Sequence, residues 1–308
     1  MTRAGFDAIH LDDRMEGLDE HQNRVPIRRP RRSEDCWLLL GPDGAPRAIV
    51  QVIHGVGEHL RRYEHFAQTL AAAGFFVHGY DNRGHGQSVA SSAEPGVIGA
   101  EGWTRSVEDI DVLVGRGREK FPDLPLVLFA HSMGSFAVQQ YLLEHSHRVD
   151  AVALSGTSAL DLIEPALDLE AGVGLDGFNA PFEPGRTGFE WLSRDEHQVD
   201  LYVQDPLCGF AYDIEGMKAV FAGARRAAEP ERLAAIRSDL PIYIAVGDQD
   251  PVNVQLSLVG ALVDRYRAAG LTQVELRTYP GARHEILNET NRDEVERDHV
   301  AWFNRVTA

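Results

Sequence analysis

The stretch "LVLFAHSMGS", residues 126–135, is an apolar run that stops abruptly at a histidine, a serine and a glycine. A sharp turn between a strand and a helix can hold a serine in a strained backbone geometry, with its hydroxyl exposed above a sheet. The pattern for such a turn is G-x-S-x-G, and here Ala130 replaces the first glycine whereas Gly134 keeps the second. Because alanine adds only a methyl group, we interpret Ser132 as the exposed serine of a strand-turn-helix elbow.

Strands and helices alternate on both sides of this stretch. Apolar and β-branched runs predict buried strands, and segments with apolar residues at helical spacing predict helices between them. The predicted strands are 47–55, 75–81, 124–132, 149–156, 240–248 and 273–281, and the predicted helices are 62–74, 101–121, 136–146, 255–270 and 294–306. Nearly continuous apolar strands alternating with helices are typical of a parallel sheet. The sequence therefore predicts an α/β fold with a mostly parallel central sheet and helices on both faces.

One interval, residues 157–239, breaks this alternation. It holds acidic segments with glycine and proline, short helical stretches and no clear buried strand. An insertion here would lie over the carboxyl ends of the strands, where open α/β sheets bind their ligands. We therefore predict a core formed by residues 1–156 and 240–308, with residues 157–239 as a helical lid or cap, called the predicted lid below. Its acidic composition argues against substrates drawn from a bilayer.

A nucleophilic serine needs a base within hydrogen-bond reach and an acid that orients the base. Enzymes with this elbow carry the three groups in the order serine, acid, histidine. His284, in the stretch "YPGARHEILNE" at 279–289, follows the last predicted strand in a glycine-bearing loop, whereas His299 lies inside a predicted helix and is interpreted as a packing residue. Asp248 and Asp250 both follow a predicted strand. The residues alone leave the acid open between these two while favouring Asp250.

Longer stretches carry a family resemblance that extends from about residue 48 to the end of the chain. They are "HGVGEHLRRYEHFAQTLAAAGFFVHGYDNRGHGQS" (54–88), "FAHSMG", "LSRDEHQVDLYVQDPL" (192–207), "GDQDPV" and "YPGARHEILNE". The chain resembles the monoacylglycerol lipase and lysophospholipase group of the α/β-hydrolase superfamily, which is also grouped with S33-type serine aminopeptidases. This resemblance implies an α/β-hydrolase fold with Ser132 as nucleophile, Asp250 as acid and His284 as base.

The resemblance also implies an oxyanion hole formed by the backbone N–H groups of Val56 and Met133. Gly55 and Gly57 permit the first loop to turn its amides toward the serine. Met133 begins a predicted helix, where free amides point outward and the helix dipole favours negative charge. Most relatives carry glycine at position 135, and this chain carries Ser135. Since the substitution is small, we expect the elbow to keep its geometry.

The composition excludes several classes of partner. The chain has 308 residues and a net charge of -17, which argues against nucleic acid and against docking on an anionic membrane by charge alone. No apolar run is long enough for integral membrane association, while peripheral contact with lipid stays open. Cys36 and Cys208 are expected to be reduced thiols, and the basic stretch at 28–32 lacks the apolar region of a signal peptide. We predict a cytoplasmic protein, and the sequence leaves its oligomeric state undetermined.

These observations together predict a serine hydrolase that cleaves carboxylic esters through an acyl-enzyme intermediate. Its partner is expected to be a small-molecule acyl ester, such as a monoacylglycerol, a lysophospholipid or a smaller ester. No cofactor is expected, and no metal either, because "HEILN" has Asn288 where a zinc-binding H-E-x-x-H motif has its second histidine. Two alternatives stay open: an amidase or aminopeptidase with the same fold, and a hydrolase-like protein that binds a ligand without turnover.

Overall fold

The structure, a computed structural model, describes residues 37–42, 44–89 and 94–308. Cys36 and the stretches at 1–35 and 28–32 lie outside the described residues. The strands are β1 Trp37–Leu40, β2 Ala48–Ile53, β3 Phe75–Tyr80, β4 Leu126–His131, β5 Ala151–Ser155, β6 Ile242–Gly247 and β7 Val274–Tyr279. The α-helices are α1 Glu64–Ala72, α2 Gly99–Lys120, α3 Met133–His145, α4 Glu196–Gln204, α5 Ile214–Ala227, α6 Pro230–Leu233, α7 Ser257–Ala268 and α8 Arg292–Val306.

In the described part of the chain, these seven strands form one sheet in the order β1-β3-β2-β4-β5-β6-β7. Strands β2 to β7 pair in parallel, and only β1, at the edge beside β3, pairs antiparallel. The predicted mostly parallel α/β sheet is confirmed.

Both faces of the sheet are covered, as the strand composition requires. In β2, Ile49 and Ile53 belong to one buried cluster while Val50 and Val52 belong to another, because successive side chains point to opposite faces. Helices α2, α3 and α7 pack on the first face, and α1 and α8 pack on the second. A strand buried on both faces has no polar side to show, which explains the continuous apolar runs.

The order of the strands decides where a site can form. The chain passes from β2 to β3 on one side and returns to β4 on the other side of β2. The loops that leave β2 and β4 therefore diverge and leave a crevice at the carboxyl ends of the strands. Ile53 pairs with Ala130 at these ends, so the loop that begins at His54 lies beside the elbow at Ser132.

The predicted lid, all of whose residues the structure describes, contains α4, α5, α6 and short 3₁₀ turns and no strand. The 3₁₀ turns are Leu160–Leu162, Glu164–Ala166, Asp176–Phe182 and Glu190–Leu192. Acidic side chains of this segment pair with arginines, as Asp161 does with Arg265 at 2.6 Å. The division into core and lid stays a prediction. None of the described helices combines the length and the apolar character that crossing a membrane requires.

Candidate active site

Ser132 lies at the turn between β4 and α3 in the strained geometry expected of the elbow. Its backbone has φ 49° and ψ −122°, a region that costs a side-chain-bearing residue free energy, and its N–H donates to the Ser155 carbonyl at 2.8 Å. Gly134 is required here, since a Cβ at this position would lie 2.5 Å from the His54 carbonyl oxygen. The start of α3 thus packs directly on the loop that follows β2.

Ala130 does not disturb this turn. It is fully buried in β4, where it pairs with Ile53 on one side and with Leu154 on the other. Its methyl group belongs to the apolar cluster under α3. Ala130 therefore contributes to the packing of β4, and its methyl group leaves the regular strand that leads to Ser132 intact.

The structure brings His284 and Asp250 together from different loops. His284 Nδ1 lies 2.9 Å from Asp250 Oδ2, and both residues are only 2% exposed. The carboxylate also accepts the N–H of Val252 at 3.0 Å and the side-chain amide of Asn253 at 3.2 Å. Because a carboxylate can only accept, the proton of a neutral His284 lies on Nδ1 and its lone pair on Nε2. That Nε2 is buried and has no hydrogen-bond partner in the described part of the chain.

The pKa values of His284 and His131 are shifted in opposite directions. Burial lowers the pKa of His284, but the charge of Asp250 and the hydrogen bond to it outweigh burial, so the net pKa lies above the ordinary 6.5. His131, whose ring centroid is 4.8 Å from that of His284, has its pKa held well below 6.5 by burial and then by the charge of His284. His131 is therefore neutral when His284 takes up a proton.

Asp248, the other candidate acid, has a different task. Its Oδ1 accepts the N–H of Gly281 at 2.8 Å and the side-chain amide of Gln249 at 3.1 Å. These contacts tie the end of β6 to the loop that precedes His284. Asp248 thus braces the loop, whereas Asp250 contacts the imidazole.

The backbone amides of Val56 and Met133 are available to an oxygen in the crevice. Gly55 N–H is taken by Glu58 Oε1 at 2.6 Å, and Gly57 N–H is taken by His85 Nε2 at 3.1 Å. Between them, the N–H of Val56 has no acceptor in the described part of the chain, and neither has the N–H of Met133 at the first turn of α3. The arrangement can accept negative charge that develops beside Ser132.

The loop "DNRGHGQS" at 81–88 supports this amide pair. Asp81 accepts the N–H groups of Leu60 and Gln87 at 2.9 Å each, and burial lowers the pKa of His85 to about 3. The neutral His85 imidazole donates its Nδ1–H to the Arg83 carbonyl, so the lone pair of its Nε2 accepts the N–H of Gly57. These contacts make the loop part of the scaffold of the site.

A buried ion network connects the two loops that flank the crevice. Arg62 donates to both carboxylate oxygens of Glu285, at 2.5 and 2.6 Å, and to Glu58 Oε2 at 2.9 Å. Burial raises the pKa of Glu58. Burial would also raise the pKa of Glu285, but the charge of the paired Arg62 guanidinium outweighs burial, so the pKa of Glu285 is lowered. Sequence reasoning missed this network, although the spacing of Glu58 and Arg62, four residues apart, was a signal.

Trp191 is a further contact that the sequence did not single out. Its ring centroid lies 4.9 Å from that of His284, and its carbonyl accepts the His284 N–H at 3.3 Å. Glu285 N–H donates to the Leu192 carbonyl in the same way at 2.8 Å. The predicted lid is therefore joined by backbone hydrogen bonds to the loop that carries His284.

Several of these groups line one cavity, which opens to solvent and has an empty volume of about 710 Å³ with the open part included. Its lining includes Ser132, His284, Glu58 and Glu285, together with Val56 and Met133. The rest of the wall is mainly apolar and comes largely from the predicted lid: Leu160, Ile163, Leu167, Val173, Leu175, Phe178, Leu192, Met217 and Phe221. A wall with a few polar groups and a larger apolar part suits a molecule that combines a polar group with an apolar chain.

His59, Asp205 and Cys208 form a group of donor atoms within 4.8 Å of one another. His59 Nε2 and Asp205 Oδ2 are already paired at 2.8 Å, which joins the loop after β2 to the predicted lid. Burial raises the pKa of the Cys208 thiol, and the thiolate that binds metals is thereby disfavoured. His59 and Asp205 are hydrogen-bonded to each other, and this contact accounts for their proximity.

The sequence was compared with known protein families and with curated proteins. A family model described as serine aminopeptidase, S33, matches residues 44–291. The monoacylglycerol lipase of Mycolicibacterium smegmatis is 31% identical over 279 residues, which cover 87% of this chain and 91% of that protein. The monoglyceride lipase of Mus musculus is 31% identical over 254 residues, covering 80% of this chain and 78% of that protein.

Solved structures give the same likeness. The crystal structure of a carboxyl esterase from Bacillus coagulans in complex with glycerol superposes with a TM-score of 0.80 at 31% identity, covering 88% of this chain and 94% of that one. At 19% identity, a monoglyceride lipase from Saccharomyces cerevisiae still has a TM-score of 0.74, over 93% of this chain and 97% of that one, a likeness of fold.

Proposed function

Because this chain belongs to the serine aminopeptidase S33 family of α/β-hydrolases, we propose that it hydrolyses carboxylic esters through an acyl-enzyme intermediate on Ser132. Support comes above all from the buried hydrogen bond between His284 Nδ1 and Asp250 Oδ2, 2.9 Å long, together with a His284 Nε2 that has no partner in the described part of the chain. Ser132 and His284 line one cavity. A histidine with a free lone pair and a strained serine on the wall of one cavity are what nucleophilic acyl transfer requires.

The proposed mechanism has two half-reactions. His284 Nε2 takes the proton of the Ser132 hydroxyl while its oxygen attacks the ester carbonyl, and the N–H groups of Val56 and Met133 stabilise the oxyanion. The protonated His284 then donates its proton to the leaving alcohol, and the acyl group stays on Ser132. His284 then takes a proton from water, whose oxygen attacks the acyl carbonyl. The bond to Ser132 breaks, the proton on His284 passes to the serine oxygen, and the acid is released.

The lining of the cavity favours an ester with an apolar acyl chain. Burial of an acyl chain against these apolar walls would stabilise the bound ester by about 0.8 kcal/mol for each buried CH₂ group. Relatives named monoacylglycerol lipase or carboxyl esterase, one of them solved with glycerol, support the same class of substrate. We propose monoacylglycerols and simple acyl esters as the substrates.

The acidic residues on the cavity wall favour some leaving groups over others. Glu58 and Glu285 share the single guanidinium of Arg62, so the carboxyl groups in this network outnumber the cation. A phosphate headgroup would meet these carboxylates, which disfavours a lysophospholipid. A neutral alcohol such as glycerol meets hydrogen-bonding groups without such repulsion.

A single substrate panel tests the proposal. p-Nitrophenyl esters from acetate to palmitate are assayed beside a monoacylglycerol, lysophosphatidylcholine and aminoacyl p-nitroanilides. We expect turnover of the neutral esters, preference for monoacylglycerol over the lysophospholipid, and no cleavage of the anilides. Faster cleavage of the anilides would identify an aminopeptidase, and ligand binding without turnover across the panel would identify a non-catalytic module. Either result contradicts the proposal.

A further inference from the structure

Three buried polar side chains near the elbow are not among the residues that line the cavity. Ser135 and Thr157 are fully buried, and Gln139 is 7% exposed. Gln139 Nε2 lies 2.8 Å from Thr157 Oγ1, which lies 2.8 Å from Ser135 Oγ, which in turn lies 2.6 Å from the Ser132 carbonyl oxygen. We call this series of contacts the donor relay (Gln139, Thr157 and Ser135).

The direction of each hydrogen bond in the donor relay is fixed by chemistry. The Ser132 carbonyl has no hydrogen, so Ser135 must donate its only hydroxyl proton to it. Ser135 Oγ then accepts from Thr157, whose own oxygen accepts from the Gln139 amide. The second amide hydrogen of Gln139 goes to the Ser158 carbonyl at 3.1 Å. The donor relay therefore runs in one direction, from the Gln139 amide through Thr157 and Ser135 to the Ser132 carbonyl.

The carbonyl at the end of the donor relay belongs to the same peptide group as the N–H of Met133. It also accepts the backbone N–H of Ser135 at 2.8 Å and that of Phe136 at 3.2 Å, so three donors converge on one oxygen. Hydrogen bonds in series polarise one another, and a peptide group whose oxygen is hydrogen-bonded is a stronger donor at its nitrogen.

From this geometry we infer that the donor relay polarises the Ser132–Met133 peptide group and so strengthens the Met133 N–H as an oxyanion donor. Ser135 is thus a positioning residue for the reaction, acting through a peptide group and never touching the substrate. The inference rests on the proposed function. Because the oxyanion exists only after attack on the carbonyl, the donor relay acts on kcat and leaves ground-state binding unchanged.

The test compares S135A, T157V and the matched control S158A with the wild type. Ser158 is as buried as Ser135, but its hydroxyl has no hydrogen-bond partner in the described part of the chain, so S158A removes a neighbouring hydroxyl from outside the donor relay. Each variant is assayed for kcat and KM on a p-nitrophenyl ester and for thermal unfolding. The inhibition constant of an aryl trifluoromethyl ketone is also measured. Ser132 Oγ adds to its carbonyl carbon, the serine proton passes to His284, and the carbonyl oxygen becomes the oxyanion.

We expect S135A to lower kcat about 3- to 10-fold, less than the 10²–10³ lost with a whole oxyanion donor. KM should not change, and ketone affinity should fall by the same factor as kcat. T157V should lie between S135A and the wild type, and S158A should match the wild type. Wild-type kinetics in both S135A and T157V would overturn the inference, as would an equal loss in S158A or a loss of kcat with unchanged ketone affinity. An inactive wild type would contradict the proposed function itself.

Discussion

His284 Nδ1 lies 2.9 Å from Asp250 Oδ2, although 34 residues separate the two in sequence. The contact is shielded from solvent, and hydrogen bonds from Val252 N–H to Oδ1 and from the Asn253 amide to Oδ2 hold the carboxylate in place. It fixes the tautomer that leaves His284 Nε2 unprotonated. The proposed base is therefore prepared before any substrate binds.

The choice between the two aspartates gives the first prediction. Asp250→Asn removes the acceptor that holds the Nδ1 proton, and we expect kcat to fall by about 10⁴-fold, as when the orienting acid of a serine-histidine pair is lost. Asp248→Asn is the matched control and should keep most of the activity, because Asp248 contacts Gly281 and Gln249 and not the imidazole. The kcat of both variants for ester hydrolysis, measured in the steady state, identifies which aspartate is the acid. A larger fall in kcat for Asp248→Asn than for Asp250→Asn would assign the role of the acid to Asp248.

The pH dependence of hydrolysis gives the second prediction. His284 must be neutral to act as a base, so kcat/KM should fall as the pH drops through its pKa, with a midpoint above 6.5. Glu285 adds to the negative charge near the imidazole, so Glu285→Gln should move the midpoint to lower pH. A neutral ester serves as substrate. A wild-type midpoint at or below 6.5, or one that Glu285→Gln leaves in place, would disagree with this electrostatic account.

The third prediction concerns the stability of the buried ion network. Arg62→Met leaves Glu58 and Glu285 buried without their cation, which should cost about 3–5 kcal/mol of unfolding free energy. Without the cation both carboxyls resist ionisation, and the deficit should therefore grow as the pH rises through their ordinary pKa of 4.5. Urea unfolding at pH 5 and pH 7.5 measures it.

Arg116→Met is the control for that experiment, since Arg116 pairs with Glu119 on an exposed face of α2. It should leave the unfolding free energy nearly unchanged at both pH values. Equal stability of the two variants would show that the Arg62 network does not hold the loops together.

The fourth prediction separates the two small residues of the elbow. Gly134→Ala puts a Cβ against the His54 and Ile53 carbonyls, at 2.5 and 2.7 Å, and should push Met133 away from Val56. We expect kcat to fall by about 10²-fold, the scale of one lost oxyanion donor. Ala130→Gly should keep kcat while lowering the unfolding free energy by about 1 kcal/mol, because it deletes a buried methyl group from a strand. The reverse order of effects on kcat would refute this account of the turn.

Much of the fold could be predicted from the sequence because the signals are local. The runs that became β2, β4 and β6 are nearly continuous and apolar, and a strand buried on both faces needs such a run. The elbow could be predicted for the same reason, since strand, serine and Gly134 lie within ten residues.

The contacts that the sequence did not predict join distant segments. Glu285 reaches Arg62 across 223 residues, and no periodicity connects them. Ser135 was interpreted only as a small residue, because its partner Thr157 follows another strand and becomes a neighbour only when α3 packs on the sheet. Asp248 and Asp250 could not be separated by pattern, since their different partners depend on the turn after β6.

The most direct test of the central claim is covalent labelling of the serine. A fluorophosphonate probe reacts when an activated serine oxygen attacks phosphorus and fluoride leaves, so the adduct marks the nucleophile. Incubation of the wild type followed by peptide mass spectrometry should give one adduct, on Ser132, and Ser132→Ala should give none. Equal labelling of the variant, or an adduct on another residue in the wild type, would contradict the assignment of Ser132.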